Sequence, residues 1–379
     1  MKDNINKEKI NLESMHKSLM PSCASERMDI FMSKTKDFLF EICNSPFVSG
    51  YEHVNGQILK DYFSEYTNSF EQDKLGSYIF KASGSSDRKI MLAAHIDEIG
   101  LMVTEILDNG FLRFTTVGGI NPASLIAQDV IVCGKEKLRG VIGIKPPHIT
   151  TAEEMKKAVK TDQLFIDIGM SKENAEKLVS IGDVVTIHRE AMSLENDMVT
   201  CKALDNKAGV AVMYEAAKEL QKISHKSNVY FTATTQEEVG LRGATTSSYQ
   251  IKPDLAIIID VGFGSTPELP SDTMKMGKGG GICIGANFNP RLTKKLRDVA
   301  KQYNYDFQLE IAPAGSGTDA IAIQVSQTGV PCVLISVPLR YMHTSVEVVS
   351  MKDIESIGSL IARFINEIDN SDLEEITCF

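Results

Sequence analysis

Three absences narrow what this 379-residue chain can be. It has no CxxC pair, and its seven cysteines, Cys23, Cys43, Cys133, Cys201, Cys283, Cys332 and Cys378, are scattered and odd in number. A disulfide framework of the kind that holds small secreted domains together is therefore not expected. No apolar run approaches the ~20 residues that a membrane helix needs. The polar start Met1–Lys7 is not followed by the apolar core of a signal peptide either, so the expected location is a reducing cytoplasm. Positive charge is also in short supply: Lys and Arg number 40 against 50 Asp and Glu, a net charge of −10. Affinity for nucleic acid comes mainly from clustered Lys and Arg neutralising phosphates, so a polyanion-binding surface is disfavoured.

What is present is ordinary globular chemistry. With 43% hydrophobic and 24% charged residues, burying a core is not the limiting problem. The length fits two domains, or one large α/β domain with an insertion. Residues 1–26 are polar without a sustained period and read as a tail. From Glu26 onward, Met28, Phe31, Phe38, Leu39 and Ile42 recur at helical spacing until Ser45-Pro46, and a second helix is expected over His53–Phe63. Lys89–Ala94 reads as a buried strand. From about Met102 to Asn196 the texture changes to short alternating strands and glycine turns, among them Gly118-Gly119. Two helices are expected inside that stretch, one near Ala152–Val159 and one after Ser171 through Leu178. The expected division is an α/β catalytic domain over 27–101 and 197–379, interrupted by a mostly-β domain over 102–196.

The chemistry gathers at strand ends. Phe231-Thr232-Ala233-Thr234-Thr235 runs into Gln236-Glu237-Glu238-Val239-Gly240, where two adjacent carboxylates repel as anions unless a cation is supplied or a pKa rises. Lys89–Ala94 runs into His95-Ile96-Asp97-Glu98, Leu255–Ile259 into Asp260, and Pro331–Val337 toward Arg340-Tyr341-Met342-His343. Asp205 or Asn206 stands at the start of a helix expected over Lys207–Leu220, where a side chain caps the helix and its dipole favours negative charge. Continuous apolar strands alternating with helices imply a largely parallel sheet covered on both faces, and such sheets hold ligands beyond the carboxyl ends of their strands. His95, Glu237, Glu238, Asp260, His343 and Asp205 are all expected at that edge. Two imidazoles and several carboxylates without a thiolate suit divalent ions such as zinc, cobalt or manganese. Two neighbouring ions need a shared carboxylate, and Asp205 is the candidate.

Each residue also has a plainer reading. Asp205 alone is most simply a helix cap, and Asp260 alone a turn residue. Gly277-Lys278-Gly279-Gly280-Gly281 lacks the Lys-Ser/Thr ending of a phosphate loop and reads as backbone turns. Cys332, in a buried strand without a partner pattern, reads as structural.

The spaced motifs together resemble the M42 metallopeptidases, the family of the tetrahedral and glutamyl aminopeptidases. The resemblance rests on Ser49-Gly50-Tyr51-Glu52, Ala94–Gly100, Ala203-Leu204-Asp205-Asn206, Gln236–Gly243, Gly317-Thr318-Asp319-Ala320 and Arg340–His343, in that order, and covers nearly everything after residue 27. It departs at Lys207, where an arginine is frequent, and at Gly280, where proline is common. It implies a three-layer α/β/α sandwich with an inserted β domain used in assembly. It implies two divalent ions, one on His95 and Asp260, the other on Glu238 and His343, with Asp205 bridging, Glu237 as general base and Asp97 orienting His95. The activity implied is release of N-terminal residues from peptides within a homo-oligomer, dimer-based and up to a dodecamer. An acidic preference would need a cationic group, for which Arg340 is the candidate. The alternatives are a deacylase of small N-acyl amino acids, which the same centre would serve, and a non-catalytic metal scaffold, which would not need Glu237. A glycosidase would need two carboxylates without metal.

Overall fold

The computed structural model describes residues 33–153, 156–269 and 273–377. The expected N-terminal tail, with Met28 and Phe31 of the first helix, lies outside them. Within them the first helix spans Lys34–Asn44 and buries Phe38, Leu39 and Ile42. The second expected helix splits into a 3-10 turn at Glu52–Val54 and a helix at Gln57–Phe63.

An eight-stranded sheet organises the chain in the order Ser69–Gln72, Tyr78–Ala82, Asn228–Thr234, Lys89–His95, Leu255–Phe263, Cys332–Leu339, Gly281–Gly285, Gln308–Ala312. Its four central strands run parallel to one another, and Gly281–Gly285 and Gln308–Ala312 form a second parallel pair at one edge. Tyr78–Ala82 pairs antiparallel on one side and Gly281–Gly285 on the other, so the expected largely parallel sheet is mixed at its flanks.

Strand side chains alternate faces. On Lys89–His95, Ile90, Leu92 and Ala94 join one core, and Met91 and Ala93 the other. The first core is covered by the helices Lys34–Asn44, Gln57–Phe63, Leu204–Leu220, Pro290–Gln302 and Met351–Asp369, the second by Arg242–Ile251 and Ala320–Gln324. This is a three-layer α/β/α sandwich. Glycine at 358 lets Met351–Asp369 approach Leu204–Leu220 closely, since a Cβ there would stand 2.6 Å from the Glu215 Cβ.

Between Lys89–His95 and Met198–Cys201 the chain builds a closed barrel, in the order Gly100–Ile106, Leu112–Val117, Leu164–Asp167, Lys137–Ile144, Asp129–Cys133, Val184–Ile187. It has its own apolar core, including Leu101, Val103, Leu112, Val130, Ile142, Ile166 and Val185. The helix after Ser171 forms at Lys172–Leu178. The one expected near Ala152–Val159 does not form among the described residues, which run as turns and coil between 3-10 turns at Pro147–Ile149 and Thr161–Gln163. Pro146 and Pro147 fix φ and remove donors just upstream, and the stretch has little apolar side chain to bury. No helix of the described residues is long and apolar enough to cross a membrane.

Candidate metal centre

Sheet topology brings the acids and imidazoles together. His95 closes its strand opposite Thr234 in the parallel register, and Glu237 and Glu238 follow Thr234 after a short turn. Asp260 is not at a strand end, as expected, but inside Leu255–Phe263. That strand pairs with Lys89–His95 only through Ile258 and continues beside Cys332–Leu339 to Phe263. Asp260 thereby projects beside the end of the shorter neighbour, next to His95.

Asp205 also departs from the cap reading. The helix Leu204–Leu220 opens irregularly: Ala203 is left-handed at φ 56°, Asp205 and Asn206 have non-helical dihedrals, and the peptide between them is cis. Capping falls to Asn206, whose Oδ1 accepts the Gly209 N–H at 3.1 Å while its Nδ2 donates to the Ile259 carbonyl at 2.8 Å. Both Asp205 oxygens are left to face the centre.

The ligand atoms converge closely. His95 Nε2 lies 3.2 Å from Asp205 Oδ1, 3.9 Å from Asp260 Oδ1 and 4.0 Å from Glu237 Oε2. His343 Nε2 lies 3.3 Å from Asp205 Oδ2 and 3.4 Å from Glu238 Oε1. Two donors each ~2.1 Å from one tetrahedral ion would stand ~3.4 Å apart, so these spacings fit ion-sharing pairs. His95, Asp205 and Glu238 form one compact group, and His95, Glu237 and Asp260 another.

Both imidazoles are held through Nδ1. His95 Nδ1 lies 3.2 Å from the Asp97 carbonyl and His343 Nδ1 lies 2.8 Å from the Gly119 carbonyl. A carbonyl only accepts, so each Nδ1 carries a proton and each Nε2 is the nitrogen that faces the acids, donating to them when protonated and available to a metal once that proton leaves. The acids in turn lack compensation. Burial, opposed by His95 and reinforced by Asp319, Glu238 and Asp97, pushes Glu237 up to about 8. Burial raises Glu238 despite the His343 hydrogen bond, and raises Asp260 well above the carboxylate range against the pull of His95. At Asp205 burial also opposes ionisation, but hydrogen bonds from His343 and His95 win and hold its carboxyl low. So many buried carboxylates sharing two imidazoles call for further positive charge, and the donor set fits divalent cations.

Other carboxylates hold the frame. Asp97, fully buried, accepts the Glu237 N–H at 3.0 Å, the Glu238 N–H at 3.2 Å and the Ser49 hydroxyl at 2.6 Å, with His95 Nδ1 3.5 Å from its Oδ1. Glu347 accepts the Asp205 N–H at 3.0 Å and the His343 N–H at 2.7 Å. Behind the centre, buried Glu98 pairs with Lys202 at 2.6 Å and with Lys207. Burial alone would raise Glu98, yet the two ammonium groups bring it down to about 2. Arg340 donates Nε to the Ser265 carbonyl. In Gly277–Gly281, the Gly277 and Gly279 amides donate to Asp353. Cys332 is buried with its thiol on the Val330 carbonyl.

Sequence reasoning assigned no role to Ser49 or Glu347. Ser49 sits in a motif that was noted, so its place was signalled. Glu347 stands four positions after His343, beyond Thr344, Ser345 and Val346, and carries no local mark.

Comparison with known proteins agrees with this geometry. Residues 76–360 match the family described as M42 glutamyl aminopeptidase. The lysyl aminopeptidase of Pyrococcus furiosus is 34% identical, over 89% of this chain and 98% of its own. The crystal structure of a TET aminopeptidase from a marine sediment archaeon of the Thaumarchaeota superposes with a TM-score of 0.86 at 35% identity, covering 91% of this chain and 99% of that one. The TET1 peptidase of Pyrococcus horikoshii, described as able to assemble into a tetrahedron or a large octahedral shell, superposes at 0.78 with 32% identity, over 88% and 99% of the two chains. With an α/β/α sandwich, an inserted barrel and a cluster of imidazoles and carboxylates at the sheet edge, the chain belongs to the M42 peptidases and is a metal-dependent aminopeptidase.

Proposed function

We propose that the centre holds two divalent ions, with His95 and Asp260 on one, Glu238 and His343 on the other, and Asp205 on both. One observation carries this reading: Asp205 turns a different oxygen to each histidine, Oδ1 to His95 and Oδ2 to His343. A carboxylate that bridges two ions through both oxygens does that. Zinc or cobalt suits the imidazole and carboxylate donors best, with manganese next. Bound there, such ions supply Lewis acidity, polarising a scissile carbonyl and making hydroxide accessible near neutral pH.

The chain's own groups supply the rest. Glu237 is the general base: it accepts the proton of the attacking water and returns it to the leaving amine. Its carboxylate has no hydrogen bond from the described residues, and its Oε2 stands 4.0 Å from His95 Nε2, beside the proposed ligands. Asp97 orients His95 and fixes the amides of Glu237 and Glu238, so base and ligand keep a set spacing.

The substrate is a peptide with a free amino terminus. Relatives carry both lysyl and glutamyl names, so the family does not fix the side chain preferred. For an acidic one, Arg340 is the cation we propose. We also assign residues 102–196 as an assembly domain, interrupting a catalytic domain over 27–101 and 197–379. Assembly as a homo-oligomer is supported by the related TET1 peptidase.

The test is hydrolysis of unblocked and N-acetylated aminoacyl anilides and short peptides by stripped protein re-supplied with zinc, cobalt or manganese, beside Glu237→Gln. Cleavage of unblocked substrates only, restored by metal, is expected, with kcat lower by about 10²–10⁴ in the variant at unchanged metal content. Cleavage of only the acetylated set would identify a deacylase instead.

A further inference from the structure

Glu347 stands opposite Cys201 in the antiparallel pairing of Glu347–Ser350 with Met198–Cys201. One strand leads onward to Asp205, and the other closes the loop that carries His343. That loop is pinned at its base by paired hydrogen bonds between Arg340 and Val348. Glu347 itself is 1% exposed. Its Oε2 accepts the Asp205 N–H at 3.0 Å and its Oε1 the His343 N–H at 2.7 Å.

Both residues it holds need holding. His343 has φ 60° and Tyr341 φ 61°, a left-handed backbone that persists in such residues only where the surroundings fix it. Asp205 stands outside helical geometry at the start of its helix, after left-handed Ala203. No other side chain among the described residues is hydrogen-bonded to the amides of both. Asp97 does the same on the opposite side of the centre, for Glu237 and Glu238.

We infer that Glu347 is a positioning residue: one buried carboxylate that grips the backbones of Asp205 and His343 and sets the spacing of the ion they share. It binds no metal and touches no substrate. This inference rests on the ligand assignment proposed above, and the test separates the two.

The test is metal binding by the whole chain, stripped and then titrated with cobalt, followed by calorimetry and by the visible absorption of the bound ion. Glu347→Gln keeps the size and one acceptor oxygen but puts an NH2 against the other amide, which then has no acceptor. The expected result is two ions in the wild type. In the variant, one of them binds about 10–100-fold more weakly and the cobalt spectrum is altered. Thermal unfolding of the stripped variant checks that it is folded. Wild-type affinity for both ions and an unchanged spectrum in a folded Glu347→Gln would overturn the clamp alone. A wild type that takes up no divalent ion would overturn the ligand assignment and the clamp with it. Should the variant fail to fold, hydrogen exchange of the stripped wild type decides. Protection of the peptides carrying the Asp205 and His343 amides supports a preformed clamp, and exchange at the rate of an open loop overturns it.

Discussion

At the scale of the residue, the centre shows how buried charge is managed by pairing. Glu98 is the anion of a triad with Lys202 and Lys207, which are 6% and 0% exposed. Removing it would strand two cations in the core, so Glu98→Gln is expected to lower stability by about 3–5 kcal/mol. Denaturant unfolding of the stripped variant measures this; a loss below 1 kcal/mol would mean that water reaches the ammonium groups. Legibility at this scale followed from strand context. The acids and imidazoles after apolar strands were readable because an unpaired charge there needs a reason. The division of labour between Asp205 and Asn206 was not, since both residue types cap helices and only the dihedrals distinguish them. Glu347 was unreadable because its partners are backbone amides, which have no signature in sequence.

At the scale of the element, legibility was uneven: a helix over Lys207–Leu220 was expected, while Met351–Asp369, the longest among the described residues, was not. Pro290–Gln302 begins with Asn289 accepting the Arg291 and Leu292 amides and a proline in the first turn, the pattern that marks a start. Ala152–Val159 carried a weaker pattern, and its described residues form turns and coil. The helix pair Leu204–Leu220 and Met351–Asp369 makes a sharper claim. Glycine inside a helix costs about 1 kcal/mol of propensity relative to alanine. At Gly358 the approach of Glu215 makes alanine worse still. We expect Gly358→Ala to destabilise by about 1–3 kcal/mol despite its better helix propensity. A thermal melt showing stabilisation would mean that the two helices slide apart freely.

At the scale of the whole molecule, a sheet covered on both faces and its β-rich interruption were both legible, because continuous apolar strands and alternating ones differ in period along the chain; the three-layer sandwich came from the family resemblance. The antiparallel flanks were not, since strand direction leaves no trace in a short apolar run. Metal loading is expected to stabilise the fold, by about 2.7 kcal/mol for each site at a free ion concentration 100-fold above its Kd. Thermal unfolding with and without chelator tests this, and sedimentation of the loaded protein should give a multiple of 41.7 kDa. Equal melting points with and without ions would remove metal from the folding balance.

The ring of His343 is held by a carbonyl that belongs to the barrel, Gly119, and a Cβ on the adjoining Gly118 would stand 3.4 Å from that of Glu238. The seat of the loop and the ring orientation offered to an ion are therefore set by the same contact. An ion that favours the ring orientation set by Gly119 favours the seated loop. Were subunits to meet through the barrel, as proposed, a contact that seats this loop would raise affinity for the ion by the factor by which the ion favours that contact. Assembly and metal uptake then become mutually reporting quantities, each measurable by titrating the other.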